Sequence, residues 1–452
     1  MPQKRKHKMN TPIADFVRGY EKKNMVRLHM PGHKGKAFLG CEAWDITEVS
    51  GADALYEADG IIAESEVNAS KLFGTGKTLY STEGSSQCIR AMLYLMLQNA
   101  SKTEKPIILA ARNVHKSFVQ AVALLDIEVE WIYPEGNMRS LCCCEINAKQ
   151  LEMKLNEMTQ KPIGVYVTSP DYLGGQLDVK SFAKICHQYE IPLAVDNAHG
   201  AYLHFLKERR HPIDLGADIC CDSAHKTMPV LTGGAYLQIH KDAPTEFLKN
   251  ARQAMSLFGS TSPSYLTLIS LDLCNAYLAD EYTEKLQKII ERLDKLRSDL
   301  RNLGWQVEET DPLKLTVRAP KGMTGIELAV KLRRCGGECE YADPEFVVFM
   351  FTPENEEKGD RIILDGFGKN NNCYNTENRI NPIIGETVMS IRNAVFAKQK
   401  TVSVTEALGC ICASPTVSCP PAIPIVISGE RISKEAIQLF EYYGIEKVDV
   451  IE

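Results

Sequence analysis

Between residues 106 and 239, short β-branched runs alternate with helical patterns, and this alternation constrains the fold more tightly than any other feature. Pro106–Ala111, Glu128–Tyr133, Ile163–Thr168, Pro192–Asp196, Ala217–Cys221 and Gly234–Ile239 read as strands bounded by turn residues. Several are apolar on both faces, which suits strands covered by helices on both sides of a parallel sheet. Helices are predicted over Ser86–Asn99 and over Val179–Tyr189, where Phe182, Ile185, Cys186 and Tyr189 share one face. The expected class is α/β, with a mostly parallel sheet in a large domain.

A long amphipathic pattern follows from Tyr282 to Leu303, with Leu286, Ile289, Ile290, Leu293, Leu296 and Leu300 on one stripe and a stop at Gly304. Leu313–Val317, a helix near Gly325–Cys335 and the strand Glu345–Phe351 then suggest a smaller α+β module, and polar Thr352–Arg379 reads as exposed loop. At 452 residues the chain exceeds what one core usually supports. The expected division is an N-terminal arm (1–45), a large domain with its connecting helix (46–303) and a C-terminal α+β domain (304–452).

Composition narrows the function classes. The net charge of −6 disfavours nucleic acid or an anionic membrane as partner, since both call for a clustered basic excess. The basic run Lys4–Lys8 reads as a solvated tail; no apolar segment follows it, so cytoplasmic localisation is expected. The apolar stretches Ala422–Ile427 and Pro192–Val195 are too short to span a bilayer. Fifteen cysteines, including Cys142–Cys144, Cys220–Cys221 and the group Cys410, Cys412 and Cys419, lack paired C-x-x-C spacing near histidines. They read as reduced, buried hydrophobes, and no metal site is expected.

Four segments place reactive groups at strand ends or helix starts, where open α/β sheets bind ligands. Thr82-Glu83-Gly84-Ser85-Ser86 offers a flexible glycine, two hydroxyls and a helix N-terminus, suited to a phosphate or simply to capping. Asp196-Asn197-Ala198-His199-Gly200 closes a buried strand with a carboxylate, which costs free energy unless a donor meets it. Ser223-Ala224-His225-Lys226-Thr227 sets a lysine beside a histidine, either a Schiff-base nucleophile or a surface lysine. Arg112-Asn113-Val114-His115-Lys116-Ser117 places His115 after a strand, where it either serves a ligand or caps a helix. Asp196 and Lys226 are 30 residues apart, room for a helix and one strand. A lysine, an acid for a pyridine nitrogen and phosphate donors are together what pyridoxal 5'-phosphate (PLP) requires.

The chain resembles the Orn/Lys/Arg decarboxylase family of PLP enzymes, within the aspartate-aminotransferase-like fold type I. The resemblance runs in family order from Thr11-Pro12, Leu28–Gly35 and Asp45–Glu48 through Leu72-Phe73-Gly74 and Gly84-Ser85-Ser86. It continues through Arg112–Ser117, Ser169–Gly174, Asp196–Gly200, Ser223–Lys226, Ser260–Tyr265 and Pro420–Pro424. It implies that Lys226 carries the cofactor, Asp196 partners the pyridine nitrogen, and His115 and Ala198 cover the two ring faces. Ser85, Ser86 and Ser223 would hold the phosphate, and His225 would act near it or in proton delivery. The Ser260-Thr261-Ser262 loop would reach the partner's cofactor in a homodimer, and the reaction would be decarboxylation of a basic L-amino acid feeding polyamine synthesis.

Departures from the family pattern fall at Lys36, Asp171, Asn197 and Ala422, close to the motifs, and bear on substrate identity. Asp53, Glu57, Asp59 and Asp171 are candidates for reading a substrate's distal cation, the first three either within the chain or from a neighbouring subunit. An aminotransferase or β-eliminating lyase of the same fold would share the Lys226/Asp196 pair. A silent relative acting as a binding protein would have no use for it.

Overall fold

A computed structural model describes residues 9–100, 105–143, 145–374, 380–415 and 423–452. Lys4–Lys8, Cys144, Cys419, Pro420, Pro421 and Ala422 lie outside the described residues. The first seven strands are Lys77–Ser81 (β1), Ile107–Ala111 (β2), Glu128–Ile132 (β3), Val165–Thr168 (β4), Leu193–Asp196 (β5), Ile219–Asp222 (β6) and Ala235–Ile239 (β7). Six of them match strands read from sequence to within two residues at each end. The seventh, β1, does not read as a strand in the sequence because Lys77, Thr78 and Ser81 make it look polar. Its buried hydroxyls are satisfied instead: Thr78 Oγ1 donates to Gln238 Oε1 (2.5 Å) and Ser81 Oγ to Gln87 Oε1 (2.6 Å).

The chain divides into two packed units, the first comprising Met1–Ala100 and Pro192–Leu286. In it β1 pairs antiparallel with β7, β7 antiparallel with β6, and β6 parallel with β5. Every residue of β5, β6 and β7 is buried, the burial that doubly apolar strands require. The helix Gly84–Asn99 packs against Thr245–Ser256, and Pro12–Lys22 lies against both Ile61–Phe73 and Tyr265–Asp280. Asp272 ties the last group together, accepting from Ala14 N (3.0 Å) and Ser65 Oγ (2.5 Å).

The second unit comprises Ser101–Ile191 and Gln287–Glu452. Here β2 pairs in parallel with β3 and with β4. The helix Val179–Gln188 buries Val179, Phe182, Ala183 and Cys186, close to the expected face. The long helix Tyr282–Asn302 belongs to this unit from Gln287 onward, with Ile289, Leu293, Leu296 and Leu300 buried along its stripe. Beyond it come Lys314–Arg318 (β8), Tyr341–Ala342 (β9), Phe346–Met350 (β10), Glu386–Thr387 (β11), Gln399–Ser403 (β12), Cys412–Ser414 (β13), Glu430–Arg431 (β14) and Lys447–Ile451 (β15). They form the antiparallel sheets β8-β10-β9 and β12-β15-β13 and the pair β11-β14. The expected exposed loop at Thr352–Arg379 is corrected in its middle: Lys358–Phe367 is a helix that buries Ile363 and Phe367 at an i, i+4 spacing. Ile362, Ile363 and Leu364 fall in one unbroken run, so the helical period is hidden in the sequence.

Candidate active site

Parallel pairing sets Asp196, the last residue of β5, opposite Cys221 of β6. Strand-end groups therefore emerge side by side. Asp196 is buried; its Oδ1 accepts from Ala198 N (3.2 Å) and from the Cys221 thiol (3.5 Å). Burial, then the neighbouring Asp196 charge, pushes the Cys221 thiol well up, so it keeps its proton and can donate. After β6 the chain turns through Ser223 into the short helix Ala224–Thr227, where Lys226 N donates to Ser223 O (3.0 Å).

The turn after β5 supplies the lysine's partner. Gly200 N donates to Asn197 O (2.8 Å), the turn carries His199 inward, and His199 Nε2 stands 3.0 Å from Lys226 Nζ. Sequence reasoning alone gives this buried imidazole no role. The signal was its place three residues after the buried acid in the same strand-end turn.

The phosphate candidates also converge. Ser223 Oγ donates to Ser85 Oγ (2.9 Å), and Ser86 lies in the first turn of the same helix, Gly84–Asn99. Gly84 begins that helix with φ of 69°, a left-handed conformation that disfavours a side chain. Its N–H donates to Gly233 O (2.7 Å), pinning the helix start. His225 Nδ1 lies 3.0 Å from Gly234 O; a carbonyl only accepts, so Nδ1 carries the proton. Ser260 N donates to Glu83 Oε1, seating the Ser260–Ser262 loop beside the start of this helix within its own chain.

His115, in the second unit, caps the helix Lys116–Leu125, its Nδ1 accepting from Ser117 N (3.1 Å). That leaves the proton of a neutral ring on Nε2. Asp53 is taken up by backbone: its carboxylate accepts from the N–H groups of Asp59 (3.2 Å), Gly60 (2.9 Å) and Ile62 (3.0 Å) at the start of Ile61–Phe73. Glu57 and Asp59 are exposed. Asp171 is buried in the second unit and accepts from Gly175 N (2.8 Å). Burial raises its pKa against the opposing charge of Lys314. Of the departures, Lys36 is exposed and Asn197 fully buried.

The donor set fits PLP. A buried carboxylate, an amine bonded to imidazole, and paired hydroxyls at a helix N-terminus are the three recognition elements it needs. All three lie within the first unit.

Comparison with known proteins agrees with this chemistry. Residues 11–317 match the family described as "Orn/Lys/Arg decarboxylase, major domain", and residues 380–447 match its C-terminal domain. A Bacillus subtilis protein named arginine decarboxylase is 28% identical over 94% of this chain and 92% of its own length. A Bacillus anthracis arginine decarboxylase is 26% identical over 95% of this chain and 92% of its own. The Pseudomonas aeruginosa lysine decarboxylase A structure superposes with TM-score 0.80 at 16% identity, covering 98% of this chain and 80% of that one. The Escherichia coli constitutive lysine decarboxylase gives TM-score 0.76 at 17% identity, with 98% and 82% covered. At such identities the likeness shows the fold, the α/β architecture of fold type I.

Proposed function

The chain belongs to the Orn/Lys/Arg decarboxylase family, and from that premise we propose that it removes the α-carboxyl group of a basic L-amino acid, arginine, lysine or ornithine, with PLP as cofactor. The observation that carries the reading is the 3.0 Å contact between Lys226 Nζ and His199 Nε2, made next to the strand that ends in buried Asp196. When bound, PLP supplies an electron sink for the pair left behind as carbon dioxide departs. Asp196 holds the proton on the pyridine nitrogen that keeps the sink strong. Ser85, Ser86 and Ser223 hold the phosphate, while Ala198 and His115 take the ring-packing roles that the family resemblance gives them. Lys226 bonds the cofactor, and with His199 it holds the proton returned to Cα. His225 is assigned to the phosphate end.

The family resemblance also supports a homodimer with the Ser260-Thr261-Ser262 loop near the partner's cofactor, a cytoplasmic location and a place in polyamine synthesis. Among the described residues no helix is long and apolar enough to cross a membrane.

The test is product analysis by mass spectrometry after supplying PLP and mixed L-amino acids, with Lys226→Ala alongside. Agmatine, cadaverine or putrescine formed by the wild type alone supports the reading and names the substrate. A keto acid or an eliminated fragment in place of an amine rejects it.

A further inference from the structure

Beneath the site lies a polar cluster that the proposed reaction does not use. Asn197, His211, Asp222 and Gln238 each have no exposed surface. Asn197 Nδ2 donates to Asp222 Oδ1 (2.6 Å), and Gln238 Nε2 donates to Asp222 Oδ2 (3.1 Å). His211 Nε2 lies 3.2 and 3.1 Å from the two carboxylate oxygens. Thr78 then fixes the far end of Gln238 through the 2.5 Å bond already described. Neighbouring strand residues point to opposite faces, so Asn197 follows Asp196 and Asp222 precedes Ser223 on the side away from the ligand groups.

We infer that Asn197 and Asp222 form a buried latch that holds the Asp196-bearing turn in register with the Ser223–Lys226 turn, and so sets the spacing of cofactor-binding groups. They are positioning residues, and the inference rests on the PLP reading above. The backbone ladder ends at Asp196 and Cys221, with a last bond from Asn197 N to Cys221 O (3.0 Å). The side-chain bond carries the pairing one residue further, to where both chains turn. The fit around it is close: a Cβ on Gly200 would fall 2.0 Å from Asn197 Oδ1, so this turn admits glycine because Asn197 faces into it. His211, Cys220 and Asp222 also bring potential metal-ligand atoms within 4.8 Å of one another. The hydrogen bonds already engage that carboxylate, and burial pushes the Cys220 thiol well up, keeping it protonated. These observations favour a hydrogen-bonded latch over a metal site.

Exchanging the two groups tests the latch. Asn197→Asp sets two carboxylates face to face, whereas Asn197→Asp combined with Asp222→Asn restores a donor and an acceptor with the polarity reversed. Each protein is stripped of PLP and titrated with it, following the dissociation constant and the visible absorbance of the bound cofactor. Asn197→Asp is expected to weaken PLP binding about tenfold or more and shift its absorbance, with the exchanged pair returning within about threefold of wild type. Asn197→Ala, which deletes the bond without adding charge, is expected to weaken binding about tenfold, without rescue by Asp222→Asn. Wild-type affinity and absorbance in both single variants, or a folded exchanged pair that recovers neither, would overturn the latch. Cofactor binding is read separately from amine formation. A wild type that binds PLP but makes no amine fails the decarboxylase reading alone, and one that binds no PLP fails both.

Discussion

Lys226 Nζ and His199 Nε2 lie 3.0 Å apart although their elements leave different strands, β6 and β5. In the proposed reaction that contact would give the amine a neighbouring imidazole with which to exchange a proton. Lys226→Ala is expected to abolish both covalent retention of PLP and turnover, measured by borohydride labelling and amine formation. His199→Gln keeps hydrogen-bonding capacity but loses the titratable ring. Its turnover should fall by roughly 10²- to 10⁴-fold with a changed pH profile; an unchanged profile would remove His199 from proton handling.

Asp196 accepts from Ala198 N and from the Cys221 thiol, which hold its carboxylate at the end of β5. Asp196→Asn keeps the shape and removes the charge that would hold a ring proton. Turnover is expected to drop at least about 100-fold, a loss of roughly 3 kcal/mol in transition-state stabilisation, with native circular dichroism. Full activity in Asp196→Asn or Asp196→Ala would reject the assignment.

Glu66 supplies a pH test away from the site. Burial outweighs the attraction of Arg252 and raises its pKa from 4.5 to about 7. The folded state therefore binds this proton more tightly than the unfolded chain does. The contribution favours folding below pH 4.5 and is lost as pH rises to about 7, by up to about 3 kcal/mol. Thermal melts should show Glu66→Gln gaining on wild type between pH 5 and pH 8. A constant difference in Tm across that range would contradict the assigned titration.

Arg112 holds the second unit's interior together. It donates to Glu430 Oε2 (3.1 Å), Pro424 O (3.3 Å) and Ile425 O (3.2 Å), and stacks 5.3 Å from the Trp131 ring centroid. Arg112→Ala leaves Glu430 buried without this cation, and urea denaturation should report a loss of about 3–5 kcal/mol. A loss below about 1 kcal/mol would mean that the pair contributes no more than a surface bridge.

Reading by period worked where burial was simple. The strands β2 to β7 and the helices Val179–Gln188 and Tyr282–Asn302 came from apolar runs, whose pattern survives any tertiary arrangement. It failed at β1 and at Lys358–Phe367, where hydroxyl hydrogen bonds and the selective burial of Ile363, from a continuous apolar run, and of Phe367 are not visible in composition. Residue types and their order mark Asp196, Lys226 and the serines as candidates for chemistry.

Which groups meet was decided by tertiary structure. Strand pairing brought Asp196 opposite Cys221, and two turns brought His199 to Lys226, contacts between residues 25 and 27 positions apart. The same packing sets Asp53, one of the acids that sequence offers as a substrate ligand, against the amides of a helix start. A sequence fixes which groups are available and their local periodicity. Hydrogen bonds and electrostatic fields fall off over a few ångströms, so only the folded chain determines which of those groups act on one another.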